Sequence, residues 1–351
     1  MNPITIILFA LTIILNDKKD PLRFPEEIHL KNIQQLTFGG QNAEAYFSFD
    51  EKKIVYQSTT DEFKCDQIFT MNLDGSNKKL VSTGKGRTTC AYFLPDGAHI
   101  LYASTHLGGD ECPPEPDRKK GYVWGLFPTY DIFVADTNGK IVKQLTDTPG
   151  YDAEAVISPL GDKIVFTSIR NGDLDIYTMN LDGSDIKQLT HELGYDGGPF
   201  FSWDGKKIVY RAYHPKTEQE IAEYKELIKE QMIKPMNLQI MIMDADGSNK
   251  QQITNNNAAN FAPFWHPDGK HIIFSSNMAD TSRIPMNFDL YIINIKTKKL
   301  DRITYSPVFE SFPMFTRDGK KLIFASNRNA KVRGETNVFI ADFKFPTKRK
   351  K

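Results

Sequence analysis

Cysteine is scarce in this chain: Cys65, Cys90 and Cys112 are the only three. So few thiols exclude a disulfide scaffold, and the fold must rest on its own core. One bridge with an odd thiol and three ordinary thiols are both open. Net charge is absent as well. The 44 Lys and Arg residues balance 44 Asp and Glu residues, so no field of one sign draws the chain to nucleic acid. Long apolar runs are lacking except from Ile4 to Leu15, a stretch of 12 residues. That length is short for a membrane span and suits the core of a signal peptide. No Lys or Arg precedes the run and no Ala-x-Ala pattern follows it, so an uncleaved anchor is the second reading and a buried strand the third. No Gly-x-Ser-x-Gly elbow, His-Glu-x-x-His helix or Walker loop is present. Those absences exclude the usual serine-hydrolase, zincin and P-loop chemistries.

What the chain has in abundance is one pattern, written six times. Its marker position, two residues before an Asp-Gly turn or its equivalent, falls at Ser48, Leu94, Ser158, Ser202, His266 and Thr316. The spacings of 46, 64, 44, 64 and 50 residues fit four-stranded propeller blades, two of them enlarged by insertions. Each unit holds a first apolar stretch, an Asp-Gly turn such as Asp204-Gly205, and a β-branched run such as Ile164-Val165-Phe166. A third run such as Ile176-Tyr177 and a short polar run ending in Leu-Thr or Ile-Thr complete it. Short runs rich in Val, Ile, Phe and Tyr, bounded by Asp-Gly, are strands and hairpins. The predicted fold is all-β: a six-bladed propeller of four-stranded blades. The last repeat lacks a fourth strand, while residues 33–37 supply one before any first strand. The N-terminal strand is therefore expected to complete the sixth blade and close the ring. The expected divisions are 1–20 for a signal peptide or anchor, 28–345 for the propeller and 346–351 for a basic tail.

The Ser-Pro-Asp-Gly-like turn, the Asp-Ile-Tyr-x-Met-Asn-Leu-Asp-Gly-like hairpin and the Gln-Leu-Thr ending resemble the TolB-type (PD40, WD40-like) six-bladed propellers. The resemblance runs from Ile33 to Asp342. It implies a periplasmic or secreted binding platform, TolB itself being a protein-binding part of the envelope Tol–Pal system. The α/β domain that precedes the propeller in TolB has no counterpart among these residues.

In such a blade the connections from second to third strand share one face, and the Asp-Gly turns lie on the other. Both insertions, about 105–130 in blade two and 213–237 in blade four, fall between second and third strands. So does a milder extension at 277–288 in blade five. Binding is expected on that face, because long loops on a rigid scaffold are where recognition usually resides. In the second insertion Thr217 and Glu220 have capping-box spacing, and Ile221, Tyr224, Ile228 and Met232 recur at helical intervals before Pro235. A helix over about 218–233 is predicted, as a cover for the rim or a lid. The first insertion is proline-rich and ends in Tyr122, Trp124, Phe127 and Tyr130, which either pack the loop down or line a groove.

Six residues before the marker stands a polar column: Asn42, Thr88, Asp152, Asp196, Asn260 and Glu310. It is expected to surround the channel mouth, joined two residues later by Glu44 and Glu154, although Asn and Asp also cap strand ends. His106 and His214 each follow an equivalent tyrosine by four residues and occur only in the two blades with insertions. With nearby carboxylates they are candidate ligands for a divalent metal, the one cofactor the sequence suggests.

Two functions compete. The first is an exported, non-catalytic propeller, periplasmic or secreted and anchored if the leader persists. It is monomeric and binds an envelope or extracellular protein, a peptide or a glycan, but no nucleic acid. The second is a metal-assisted lyase or hydrolase acting on an oligosaccharide at the channel mouth. Oligogalacturonate lyases are similar in their repeat and hold a metal by histidine on a seven-bladed propeller. That similarity implies Arg211 and His214 as catalytic candidates and His106 as a ligand.

Overall fold

The structure is a computed structural model that describes residues 20–345 apart from 118, 120 and 283–285. The leader or anchor expected of residues 1–20, Asp20 aside, and the basic tail expected of 346–351 lie outside the described residues. Six four-stranded antiparallel sheets form the ring. Blade three is representative, with strands Asp152–Ile157, Lys163–Ser168, Asp175–Asn180 and Lys187–Gln188 in sequential order. Among the described residues no helix is long and apolar enough to cross a membrane.

The second strands explain why the repeat is so apolar. Ile54-Val55-Tyr56, Ile164-Val165-Phe166, Ile208-Val209-Tyr210 and Ile272-Ile273-Phe274 are all buried. Blades stack face to face, so both sides of a central strand are covered and alternation gives way to continuous hydrophobic runs. Neighbouring second and third strands also stack their rings. Tyr56 and Phe69, Phe166 and Tyr177, Phe274 and Tyr291, and Phe324 and Phe339 have centroids 5.7–6.1 Å apart. Such pairs add roughly 0.5–1.5 kcal/mol each beyond the area they bury.

The Leu-Thr ending has a hydrogen-bonding cause. In blade three the Thr190 hydroxyl donates to Asp175 Oδ1 at 2.9 Å and accepts the Ile176 N–H at 2.9 Å. The same double bond joins Ser82 to Gln67 and Ile68, Thr146 to Asp131 and Ile132, and Thr254 to Gln239 and Ile240. Thr304 does so with Asp289 and Leu290. In blade six the hydroxyl is that of Thr37, which bonds Asn337 and the Val338 N–H across some three hundred residues. Leu30–Gln35 pairs with Asn337–Phe343, so the N-terminal strand closes the ring as the repeat predicts. Thr190→Val is expected to cost about 1–2 kcal/mol, because it strands a buried N–H and removes a donor from Asp175. Urea unfolding of this variant tests that; an unchanged midpoint would make the threonine column decorative.

The two insertions meet. The helix Glu218–Lys229 starts on its Thr217/Glu220 capping box as predicted, but ends earlier than the expected residue 233. Gln231 takes a left-handed turn at φ 58°, and Met232–Ile233 then forms a strand against Trp124–Gly125 of the blade-two insertion. The inserted loops thus reach each other across blade three. Beneath them the helix buries Tyr224 and Leu227. A disulfide between Cys65 and Cys112 ties the blade-two loop to blade one, and Cys90 is free.

Candidate functional site

Every innermost strand contains a β-bulge at the same place, between Ala43 and Tyr46 in blade one and at the equivalent steps in the other five. The residue inside each bulge is left-handed: Glu44, Cys90, Glu154, Gly198, Ala262 and Phe312 have φ between 48° and 58°. Five of the six are not glycine, so the ring of blades holds a conformation that such residues avoid on their own. The bulge turns these six positions to the axis, where all of them line one cavity of about 330 Å³.

This replaces the expectation that Asn42, Thr88, Asp152, Asp196, Asn260 and Glu310 surround the channel mouth. None of them lines the cavity, and each is at most 4% exposed. They bond backward into the blades instead. Asn42 and Asn260 donate to the carbonyls of Thr336 and Leu238, and the Thr88 hydroxyl to that of Asp66. Asp152 pairs with Arg170, Glu310 with Arg328 and Asp196 with His214. Where the column is acidic, the residue four after the second-strand aromatic is a base. That match is visible in the sequence and explains the acidic members of the column together with their basic partners.

It also accounts for His214, while His106 has a different partner. His214 Nε2 lies 3.0 Å from Asp196 and Nδ1 3.1 Å from Glu192. Burial works against its protonation, but the Asp196 bond and the charges of Asp196, Glu192 and Asp173 outweigh burial and raise its pKa. His106 bonds Ser104 at 2.9 Å and packs on Phe133, and burial lowers its pKa, with Lys85 adding to the effect. Each histidine is engaged within its own blade region. Among the described residues no three His, Cys, Asp or Glu side chains are grouped to hold a metal ion.

The cavity has two unlike sides. On the polar side Arg211 forms an ion pair with Glu154 and donates from Nε to the Tyr195 hydroxyl at 2.7 Å. Its guanidinium lies between Trp124 and Tyr195, 5.3 and 5.4 Å from their ring centres. Room for it comes from Gly198, where a Cβ would collide with Nη1, and from Gly197, where one would sit 2.7 Å from Glu154. Glu154 Oε2 also accepts from the Thr167 hydroxyl and the Gly198 N–H, both at 2.7 Å. The catalytic candidate Arg211 is therefore at the cavity, while its companion His214 is not among the lining residues.

Glu44 is the exception on that side. Its Oε2 is buried without a hydrogen-bond partner. Burial lifts its pKa to about 7; a bond from Cys90 opposes the rise and the Glu154 charge adds to it. The Cys90 thiol is itself held well above its ordinary value by burial, then by Glu44 and Glu154, so it is a neutral donor rather than a nucleophile. The opposite side is aromatic. Phe261 contacts Phe288 at 5.0 Å and Phe312 at 5.8 Å, and Phe309 packs on Phe288 at 5.8 Å. Tyr122 and Trp124 of blade two, Pro235 of blade four and Met286 of blade five come from the three inserted loops. Phe127 and Tyr130 pack against each other instead, outside the cavity.

Glu44 and Glu154 are evident from the sequence by their charge, but Cys90, Gly198, Ala262 and Phe312, which occupy the same repeat position, are not. Counting four back from each marker finds all six. Nothing in the side chains themselves, which range from glycine to phenylalanine, announces a common place.

Comparison with known proteins fits this architecture. Residues 128–233 match the family described as PD40, TolB beta propeller domain. No curated protein sequence matches. Among solved structures, a putative TolB from Agrobacterium tumefaciens is 18% identical with a TM-score of 0.55, covering 89% of this chain and 97% of that one. TolB from Acinetobacter baumannii is 18% identical with a TM-score of 0.52, over 88% of this chain and 64% of that one. An oligogalacturonate lyase from Vibrio parahaemolyticus is 13% identical with a TM-score of 0.51, over 88% and 93%. At such identities the likeness is one of fold, and function does not travel with it. By its repeat and its closed ring the chain is a six-bladed β-propeller, similar over residues 128–233 to the TolB (PD40) propeller domain.

Proposed function

We propose that this propeller is a non-catalytic binding module that takes the end of a protein, peptide or glycan into its axial cavity, on the face carrying the long loops. The observation that carries the reading is the cavity itself. Three loops from different blades roof it, its walls are largely apolar and rich in aromatic rings, and a few polar groups sit at one side, as in small-ligand sites generally. The groups that chemistry would need are engaged elsewhere: Arg211 with Glu154, His214 with Asp196 and Glu192. The Cys65–Cys112 bridge supports an exported protein, since such bonds persist in oxidising compartments.

Ala262→Phe provides the test. Phe312 occupies the equivalent left-handed position in blade six, so the backbone there already accommodates a phenyl side chain, and a second one fills the cavity. A panel of short peptides and oligosaccharides would be screened by thermal shift against both proteins. Compounds that stabilise the wild type are expected to have no effect on Ala262→Phe. Hits that persist in the filled variant would place binding elsewhere and end this reading.

A further inference from the structure

We infer that the axial cavity selects an ammonium group carried on a compact apolar body, preferably an aromatic one, with Glu44 receiving the charge. This rests on the cavity being the binding site, as proposed above, and adds what it binds. Among the described residues, the charged side chains lining the cavity are Glu44, Glu154 and Arg211. The last two neutralise each other, and Glu154 is further saturated by Thr167 and Gly198. Among the described residues Glu44 is left without a counter-ion of its own, and its buried Oε2 accepts no hydrogen bond. A buried carboxylate in that state gains most from a partner that brings both a proton donor and a positive charge.

The rest of the cavity describes the body of the ligand. Phe261, Phe288, Phe309 and Phe312 offer a phenyl-lined wall, Tyr46 adds an aromatic ring beside Glu44, and Tyr151 lines the same cavity. Aromatic faces attract a cation electrostatically and an apolar group by burial, so one amphiphilic amine satisfies both sides. A saccharide fits less well, because its several hydroxyls would meet phenyl faces that offer them no partner. A volume of about 330 Å³ accommodates a group the size of phenylethylamine or the first residue of a peptide.

Protonation of Glu44 sets a second signature. The groups acting on it are the Cys90 thiol, the Glu154 and Arg211 pair, and Asp66, which itself pairs with Arg87 at 3.8 Å. Burial leaves Glu44 half protonated near pH 7, whereas an alkylamine stays charged well beyond that and a peptide α-amino group to about 8. Binding should therefore tighten as pH rises from 6 to 8.

Titration calorimetry with 2-phenylethylamine, and with 2-phenylethanol as its neutral counterpart, decides the matter. At pH 8 the alcohol is expected to bind roughly tenfold more weakly than the amine, and Glu44→Gln to lose roughly tenfold for the amine alone. The variant should also lose the rise in affinity with pH. The tripeptide Phe-Ala-Ala, with free or acetylated N-terminus, separates the two sources of such a group. Compared at pH 7, where both amino groups are mostly charged, tighter binding of the free tripeptide than of the amine points to a chain terminus, and the reverse to a free amine. Equal binding of amine and alcohol, an unaffected Glu44→Gln, or no amine binding would overturn the inference. If the amine fails while another compound binds in a manner that Ala262→Phe abolishes, the inference falls and the cavity reading stands.

Discussion

Replacing Arg328 with methionine is expected to cost the fold about 3–5 kcal/mol, the largest effect of any single change considered. The guanidinium holds two carboxylates that have no exposure to solvent, Glu27 and Glu310. Nη2 reaches Glu27 at 2.9 Å, Nε reaches Glu310 at 2.7 Å, and Nη1 donates to the Leu22 carbonyl at 2.9 Å. Even with Arg328 opposing it, burial lifts Glu310 to about 7, so the site is costly to charge. Methionine would keep the contact with Phe324 but leave both acids facing each other without a cation. The segment carrying Glu27 runs directly into the closing strand, so the loss falls on ring closure. Urea unfolding measures it. The triple variant with Glu27→Gln and Glu310→Gln should recover part of the loss, because most of the single-site penalty is uncompensated charge. A wild-type midpoint for Arg328→Met would show the triad to be idle.

Glu44→Gln should do the opposite and stabilise the protein, by about 2–3 kcal/mol at pH 8. The folded carboxyl titrates at about 7 against an ordinary 4.5. Between those values the native state keeps a proton that the unfolded chain has released. Native stability therefore falls as pH rises through this window, and is unaffected by Glu44 below it. Glutamine has no proton to lose, so the variant and the wild type should coincide near pH 4 and diverge toward pH 8. Chemical denaturation at the two pH values checks this. A constant difference would mean that packing, not protonation, separates them. A residue whose removal stabilises the fold is a familiar mark of a binding site maintained against stability.

Much of the fold was legible because the repeat acts as its own alignment. Ile-Val-Phe runs, Asp-Gly turns and Leu-Thr endings each recur for a physical reason, and the surplus strand at residues 33–37 foretold closure. The helix start was readable from Thr217 and Glu220, since capping is local. Its end was not, because Met232 and Ile233 leave helical periodicity to pair with a segment more than a hundred residues away. The site was half legible. The polar column of Asn42 and its equivalents could be aligned, but which repeat position faces the axis depends on a bulge whose residues carry no common chemistry. Glu44 and Glu154 were reached through their charge; Ala262 and Phe312 had no such flag. The choice of Cys65 and Cys112 as partners likewise depends on where the blade-two loop folds back.

The pairing of Leu30 with Phe343 has a mechanical consequence. These two residues are antiparallel neighbours at the same end of the outermost strand pair, so the chain enters and leaves the ring at one point. Tension applied between the two ends would load the hydrogen bonds of that pair one after another, as in a zipper, rather than all together in shear. The propeller should open at low force from blade six, peeling Leu30–Gln35 away before any other blade yields. The same molecule gripped through two internal Asp-Gly turns would resist far more.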